Sequence, residues 1–410
     1  MIICNNMQIG IIGAGAAGYF AAIRAADCNP NANIKLLEGT RRPLTKVKIS
    51  GGGRCNVTHA CFDVAKLVQN YPRGYRELRG PFSYFQPRDT IKWFEERGVQ
   101  LKTEADGRMF PLSDNSQTII DTLVDSAKKA KVEIILGEIV RRIKKADDSK
   151  FAIECGQNIY IFDRILLATG GMQAGFELAR ELGHTIVTPK PSLFTFCIEH
   201  PLLKDLAGQS FVEVACHLSC EKNKFHALGP VLITHWGLSG PAILKLSAFA
   251  ARDLYDSNYQ ADLVLDFAPH LQAEHLLEKI KKMRVSHADK LLIAAPPAAI
   301  SKRFWQRFLE IFGIDIKICW RNLSNQSCID ISRALKNIAL EVKGKGEFKS
   351  EFVTSGGIEL KEVDFKTMQS KVCPGLFFAG EILDIDGVTG GFNFQNAWTT
   401  GWIAGENIGR

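Results

Sequence analysis

Three glycines near the start of the chain have the spacing of a dinucleotide-binding loop. Residues 13–18 read Gly-Ala-Gly-Ala-Ala-Gly. In such a loop Gly13 makes the tight turn, Gly15 leaves room for a diphosphate, and Gly18 lets a helix pack closely on a strand. Free backbone N–H groups at the start of that helix would bind the diphosphate. The candidate cofactor contacts here are Gly13, Ala14, Gly15, Ala16, Ala17 and Gly18.

An acidic residue follows at the distance that the same chemistry needs. Glu38 lies 20 positions after Gly18, and its carboxylate would accept hydrogen bonds from ribose hydroxyls. The elements around the loop are a predicted strand Gln8–Gly13, a helix Tyr19–Ala26 and a second strand Ile34–Leu37. This order of strand, glycine loop, helix, strand and acid favours nucleotide binding over a plain turn.

A second glycine-rich segment, Lys46–Asn56, reads KVKISGGGRCN. Three consecutive glycines can turn their N–H groups toward an anion or a flat ring. Its cations Lys46, Lys48 and Arg54 could neutralise a diphosphate or negative charge on a flavin, whereas the alternative is a flexible surface loop. It is not a Walker A loop, because no Gly-Lys-Ser/Thr closes it. The candidate contacts are Lys48, Ser50, Gly51, Gly52, Gly53, Arg54, Cys55 and Asn56.

Two later segments predict strands that return to the same sheet. Asp163–Ala168 runs into Thr169-Gly170-Gly171, and Gly375–Ala379 runs into Gly380-Glu381. A glycine-rich turn then precedes a predicted helix Phe394–Asn407, whose small residues Ala397, Gly401, Ala404 and Gly405 permit close packing. Small residues at a helix N-terminus next to a strand end, as in the glycine-rich turn, suit the edge of a planar cofactor. The candidate contacts here are Val140, Ala168, Thr169, Gly170, Gly380, Glu381, Gly390, Gly391, Phe392 and Asn393.

The stretch from Pro191 to about Thr354 has a different character, so the nucleotide-binding domain is predicted to be interrupted. Apolar residues at spacings of three and four predict helices, and short apolar runs predict strands. The predicted strands are Thr195–Glu199, Phe211–Leu218, Val231–Thr234 and Ala261–Phe267, with an extended segment Glu347–Val353. The predicted helices are Ala242–Leu254, Glu274–Met283, Ala298–Phe312 and Ile329–Glu341.

Composition limits the class of protein. The chain has 410 residues, of which 46% are hydrophobic and 23% charged, which excludes a disordered chain. It contains no apolar run long enough for a transmembrane helix, and its start lacks the charged leader of a signal peptide. The 11 cysteines include no CxxC pair, which predicts a reducing cytoplasmic location. Cys216, His217 and Cys220 lack a second ligand pair, so no metal is predicted.

The net charge of +7 is unevenly distributed. Between His270 and Lys345 there are 14 Lys and Arg residues against 7 Asp and Glu residues, a difference of +7, so the remainder sums to zero. The alternatives are a solvated helical face and a binding site for an acidic partner such as RNA. No RNA-binding signature accompanies the charge, so the prediction is a solvated face, a small-molecule substrate and no nucleic-acid or membrane partner.

Taken together, the motifs resemble those of the BaiN/YhiN family of bacterial FAD-dependent oxidoreductases. The resemblance implies non-covalent FAD, surrounded by residues that match Gly13, Gly15, Gly18, Glu38, Ser50–Asn56 and Gly390–Asn393. It also implies an α/β fold, in which a Rossmann-like FAD-binding domain (1–190 and 354–410) is interrupted by an inserted substrate domain (191–353). In that insert a flattened β-barrel (about 191–268 and 342–353) carries a small helical subdomain (about 269–341). The matching segments are 13–18, 48–59, 107–113, 168–171, 234–244, 354–371 and 380–398.

The predicted function is that of an FAD-dependent oxidoreductase acting on a small molecule, as a reductase of an activated double bond or ketone. The sequence has one GxGxxG motif, so NAD(P)H would act as a transient donor at the flavin face. The alternatives are an amine oxidase using dioxygen and an RNA-binding or tRNA-modifying flavoprotein. Activities assigned in the family that the sequence resembles include a reductase of unsaturated bile-acid ketones and an aminoacetone oxidase. No catalytic residue is assigned. The side chains weighed for that role were Cys55 with Cys61, His235 with Trp236, and Arg108.

Overall fold

The computed structural model describes residues 6–146, 149–221, 223–346 and 353–410. The chain divides into two compact units, the first made of Met1–Lys190 and Val353–Arg410 and the second of Pro191–Phe352. Of the extended segment predicted at Glu347–Val353, residues 347–352 lie outside the described residues. No helix in the described ranges is long and apolar enough to cross a membrane.

A mostly parallel sheet forms the centre of the first unit, as the predicted α/β fold requires. Its inner strands are buried on both faces, which is why they appear in the sequence as continuous apolar runs. The carboxyl ends of its parallel strands meet at one edge, which is where such sheets bind ligands. The spatial order of its strands is Val363–Asp364, Gln369–Ser370, Leu376–Phe378, Arg164–Leu167, Gln8–Ile12, Asn33–Glu38 and Glu133–Leu136.

The first helix (Ala16–Cys28) and the C-terminal helix (Phe392–Gly409) pack against each other through small residues. An ideal Cβ at Gly401 would lie 2.8 Å from the carbonyl oxygen of Ala17, and one at Gly405 would overlap the carbonyl oxygen of Ala21. Only glycine allows the two backbones to come this close. The predicted small-residue face of the C-terminal helix is therefore confirmed.

The remaining elements of the first unit surround this sheet. They include further helices, two three-stranded antiparallel sheets and a two-stranded pair. The helices are Thr45–Gly53, Val64–Leu67, Arg79–Tyr84, Pro87–Glu95, Ser116–Lys129 and Gln173–Glu181. The strands are Thr58–His59, Leu101–Thr103, Arg108–Pro111, Val140–Lys145, Phe151–Cys155, Asn158–Phe162, Ile186–Ser192 and Val353–Ile358.

The second unit is built on a sheet that closes on itself. Its two outermost strands, Ile338–Val342 and Gly344–Lys345, are consecutive in the chain and separated only by Lys343. The sheet must therefore curl until its edges meet, which gives the predicted flattened barrel. The strands in spatial order are Ile338–Val342, Ala261–Asp266, Ser210–Ser219, Lys224–Ile233, Gly237–Ser239, Phe196–Cys197 and Gly344–Lys345. The helices are Pro241–Phe249, Ala251–Asp256, Ala273–Ser286, Lys302–Ile311 and Asn325–Lys336.

The predicted helices of this unit have different bounds in the structure, and the one predicted over Ala298–Phe312 begins only at Lys302. The helix predicted over Ile329–Glu341 ends at Lys336, and residues 338–342 form a strand whose alternate residues are buried. The apolar residues of 338–342 also fit a helical spacing, so the sequence alone does not distinguish strand from helix there. The helix predicted over Ala242–Leu254 is divided at Ala250 into two shorter helices.

Candidate cofactor site

The glycine loop has the geometry that each of its glycines was predicted to provide. Gly13 has a φ of +104°, and a Cβ there would lie 2.5 Å from the carbonyl oxygen of Ala168. A Cβ at Gly18 would overlap the carbonyl oxygen of Gly13, so the helix can approach the turn only without a side chain. At Gly15 no heavy atom lies within 4 Å of an added Cβ. The loop is therefore closely packed on one side and open where a ligand would enter.

Glu38 is held against this loop by backbone donors. Its carboxylate accepts a hydrogen bond from the N–H of Ala14 at 3.0 Å and another from the N–H of Thr40 at 2.9 Å. Since an ionised carboxylate has about four acceptor positions, further positions are available for ribose hydroxyls. The N–H of Glu138 donates to the carbonyl of Glu38 at 2.9 Å, which brings the segment before Val140 beside it.

The second glycine segment turns sharply at the end of its helix. Gly51, Gly52 and Gly53 all have positive φ values, of +58°, +68° and +83°. No heavy atom lies within 4 Å of a Cβ added at Gly52 or Gly53. The N–H of Cys55 donates to the carbonyl of Ser50 at 3.0 Å and closes the turn. The three glycines thus expose a curved stretch of backbone that could face an anion.

Two of the three predicted cations of this segment are paired with carboxylates of the protein itself. Arg54 contacts Glu104 at 2.6 Å and lies 4.0 Å above the ring centre of Phe110, and Lys46 pairs with Glu381. Lys48 is exposed, and none of the described carboxylates pairs with it. Of the three, only the Lys48 ammonium is free to meet an added anion without giving up an ion pair.

The second glycine segment and the glycine-rich turn before the C-terminal helix meet through Asn56. In the orientation that satisfies both ends of its amide, Asn56 accepts from the N–H of Gly391 at 3.0 Å and donates to the carbonyl of Thr58 at 3.1 Å. A Cβ at Gly391 would lie 2.6 Å from that Thr58 carbonyl. Asn393 adds two hydrogen bonds of 2.8 Å to the backbone of Gly387. Residues 48–56 and 387–393 therefore form one continuous surface.

Three residues not predicted from the sequence hold this surface in place. Asp386 is completely buried, and its carboxylate is paired with the guanidinium of Arg73. The hydroxyl of Tyr71 donates to the carbonyl of Phe392 at 2.6 Å. A buried carboxylate such as that of Asp386 needs a cationic partner like Arg73. The only sequence signal for this ion pair was the acidic pair in the segment Asp384-Ile385-Asp386.

The residues after the two central strands are mostly held by hydrogen bonds within the protein. The hydroxyl of Thr169 is buried and has no hydrogen-bond partner among the described residues. Glu381 accepts from the N–H of Thr354 at 3.0 Å, and the N–H of Gly380 donates to Thr400 at 2.9 Å. The Thr169 hydroxyl lies against Gly175, where an added Cβ would come within 1.9 Å of it, so it does not open on the site. The open space at Gly15 is the observation that makes the site suitable for a bound dinucleotide.

The residues weighed for catalysis lie in other settings. Burial raises the pKa of the Cys55 thiol to about 12, so the thiolate needed for redox chemistry is not populated near neutral pH. Arg108 pairs with Asp106 at 2.7 Å. His235 and Trp236 belong to a turn of the second unit, where the Trp236 side chain is 58% exposed. Cys55 thus belongs to the second glycine segment as a buried residue, and Arg108 shares the carboxylate of Glu104 with Arg54 of that segment.

The parallel sheet, the glycine loop at its carboxyl edge and the adjoining glycine segments define the class of protein, which is that of the FAD-dependent oxidoreductases with a Rossmann-type fold. The chain belongs to the HI0933-like family: the model of the HI0933-like protein Rossmann domain matches residues 7–407. The resemblance identified from the motifs is thereby confirmed.

Two curated relatives match the chain over nearly its full length. A 3-dehydro-bile acid delta(4,6)-reductase of Clostridium scindens is 29% identical over 97% of this chain and 98% of its own length. A ribosomal RNA dihydrouridine synthase of Escherichia coli is 27% identical over 97% of both chains. The crystal structure of a 3-ketosteroid-delta4-(5alpha)-dehydrogenase from Rhodococcus jostii superposes with a TM-score of 0.51. It is 13% identical and covers 100% of this chain and 98% of its own, which supports the fold.

We expect Glu38→Ala to weaken FAD binding by about 10- to 150-fold. The loss corresponds to charge-assisted hydrogen bonds worth about 1.5–3 kcal/mol. Glu38→Gln keeps one acceptor oxygen and is expected to have an intermediate affinity. Titration of apoprotein into FAD, followed by flavin fluorescence, measures this effect. Glu133→Ala, on the neighbouring strand and paired with Lys35, is the control and should bind FAD normally. Unchanged affinity in Glu38→Ala would place the adenosine elsewhere.

Proposed function

We propose that this protein is an FAD-dependent reductase that uses NAD(P)H to saturate a carbon–carbon double bond conjugated to a carbonyl group. The two kinds of curated relative share this chemistry in their names. A delta(4,6)-reductase of a 3-dehydro bile acid and a dihydrouridine synthase both remove a double bond that is conjugated to a carbonyl. An electron-poor double bond of this type is a suitable hydride acceptor.

The observation that carries the proposal is the single dinucleotide cradle in the first unit. The N-terminus of the first helix would bind the diphosphate, and Glu38 would bind the adenosine ribose. The segments joined by Asn56 would surround the flavin end. FAD, when bound, supplies the hydride transfer. The residues proposed to hold it are Gly13–Gly18, Glu38, Lys48, Ser50–Asn56, Val140, Ala168–Gly170, Gly380, Glu381 and Gly390–Asn393.

The C-terminal helix would provide electrostatic stabilisation near this cofactor. It starts at Phe392 directly after Gly391, and none of the described side chains caps it. A helix N-terminus has unsatisfied N–H groups and the positive end of the helix dipole. Because Asn56, Tyr71 and Asn393 hold the surrounding loop, these donors are positioned in advance, which stabilises negative charge without reorganisation.

The donor would have to share the substrate site. The sequence has no second GxGxxG, so no second fold of this type is available to bind a nicotinamide nucleotide. The nicotinamide and the unsaturated substrate would therefore bind in turn at the same face of the cofactor. Such alternation predicts ping-pong kinetics, with each molecule inhibiting when it is present in excess.

Anaerobic mixing with NADH or NADPH tests the proposal. We expect at least one nucleotide to remove the visible absorbance of the bound flavin rapidly, and a conjugated enone such as a 4-en-3-one steroid or free uridine in excess to restore it. Dithionite provides the fully reduced reference. If neither nucleotide bleaches the flavin, and an amine bleaches it and yields peroxide in air, the protein is an oxidase and the proposal is wrong.

A further inference from the structure

The second unit carries positive charges that its own residues do not neutralise. Some of its basic side chains have structural roles: Arg303 and Arg307 donate to main-chain carbonyls at 2.9–3.1 Å, and Lys336 pairs with Asp266 at 2.7 Å. The basic side chains without a carboxylate partner in the described residues include six from Lys279 to Arg333, on or beside the helices of this unit. They are Lys279, Lys281, Lys282, Lys290, Lys317 and Arg333.

Five of these cations lie on one helix and on the paired segments that follow it, and we call them the basic surface: Lys279, Lys281, Lys282, Lys290 and Lys317. The first three lie in the second half of helix Ala273–Ser286, where they are exposed, while Leu276 and Ile280 of the same helix are buried. The chain after this helix pairs with residues 318–320: the N–H of Leu292 donates to Ile318 at 2.9 Å and that of Trp320 to Lys290 at 3.0 Å. This pairing places Lys317 next to the segment that begins at Lys290.

A groove of about 600 Å³ is lined by the helix Asn325–Lys336, which packs against the helix that carries three of the lysines. Asn325 accepts a hydrogen bond from Arg284 on the helix of the lysines. The ring of Phe312 is 44% exposed in this groove. Such a ring can stack on a planar base, and amide, hydroxyl and guanidinium groups can bind its edge. The groove is lined by Phe312, Ile314, Ser327, Asp330, Arg333 and Asn337.

We propose that the basic surface and this groove bind RNA, with phosphates on the lysines and one unstacked base against Phe312. The inference rests on the proposed function, because the uracil ring of RNA contains a double bond conjugated to a carbonyl. An acidic membrane is the competing partner for a basic surface. It is disfavoured because the outer face of helix Ala273–Ser286 carries Glu274, Glu278 and lysines, without the apolar stripe that would enter a bilayer.

The experiment measures binding of the full chain to a fluorescently labelled RNA hairpin with a uridine-rich loop, at several KCl concentrations. The test variant combines Lys279→Gln, Lys282→Gln and Lys290→Gln. Each lost phosphate contact lowers log K by about 0.7 at ~0.1 M salt, so the three substitutions should cost roughly 100-fold in affinity and reduce the slope of log K against log[KCl] by about 2. Phe312→Ala should weaken binding further while leaving the salt dependence unchanged, as loss of base stacking requires.

A variant with the same change in net charge serves as the control. Lys129→Gln, Lys131→Gln and Lys366→Gln remove three exposed cations of the first unit and should bind the hairpin as the wild type does. Equal losses in both triple variants, no salt-dependent binding by the wild type, or binding of phosphatidylserine vesicles in preference to RNA would overturn the proposal. Flavin bleaching by NAD(P)H needs no RNA, so the same preparations show separately whether the proposed reductase chemistry has failed.

Discussion

Gly15→Ser is expected to lower FAD affinity by about 100-fold while leaving the apoprotein as stable as the wild type. The new side chain enters the open space beside the first helix, where no heavy atom lies within 4 Å of its Cβ. It would displace the diphosphate from at least two backbone donors, at about 1.5 kcal/mol each. The fold has room for the change, and serine is a favourable residue at a helix N-cap. FAD titration and urea unfolding of the apoprotein measure the two effects.

Gly18→Ser, three residues away, should mainly lower the stability of the apoprotein, whereas Gly15→Ser should mainly lower FAD affinity. Its Cβ would overlap the carbonyl oxygen of Gly13, so we expect the apoprotein itself to lose about 1–3 kcal/mol of unfolding free energy. Gly80→Ser, in a helix of the same unit and with nothing within 4 Å of its Cβ, should leave FAD affinity unchanged and should not destabilise the apoprotein, because serine is a better helix former than glycine. If Gly15→Ser retained full FAD affinity, the open space at Gly15 would not be the diphosphate site.

Gly405→Ala is expected to destabilise the first unit and to release FAD, although alanine is the better helix former. A Cβ at Gly405 would overlap the carbonyl oxygen of Ala21 on the first helix, and overpacking of this kind costs about 1–3 kcal/mol. If the two helices move apart, the glycine loop at the start of the first helix also moves away from the turn at Gly391 at the start of the C-terminal helix. Unfolding followed by tryptophan fluorescence is a suitable measurement, because Trp398 and Trp402 lie on the C-terminal helix.

The matched substitution Gly80→Ala should have the reverse effect. Gly80 lies in helix Arg79–Tyr84 with no heavy atom near its Cβ, so alanine should stabilise by up to about 1 kcal/mol through helix propensity alone. Equal effects of the two substitutions would mean that the two long helices are not closely packed. Loss of stability in Gly405→Ala with full retention of FAD would show that the C-terminal helix has no part in positioning the site.

The sequence by itself determined the features that depend on local backbone chemistry. Glycine is required wherever φ is positive or a Cβ would collide, so Gly13, Gly18 and Gly391 could be recognised from their spacing. The order of strand, glycine loop, helix and acid placed Glu38 correctly at the end of its strand, because consecutive elements of a β-α-β unit pack side by side. The same reasoning identified the C-terminal helix and its small-residue face.

Only the tertiary structure decided the features that join distant parts of the chain. The pairing of Arg73 with Asp386, the bridge of Asn56 to Gly391 and the engagement of Arg54 by Glu104 each depend on which segments are brought together. A residue's type does not specify its partner, so a charge pattern cannot distinguish a cation that binds a ligand from one that is already paired. Closure of the barrel through Ile338–Val342 was likewise decided by the tertiary structure. A short apolar run becomes a strand or a helix according to the neighbours available for hydrogen bonding.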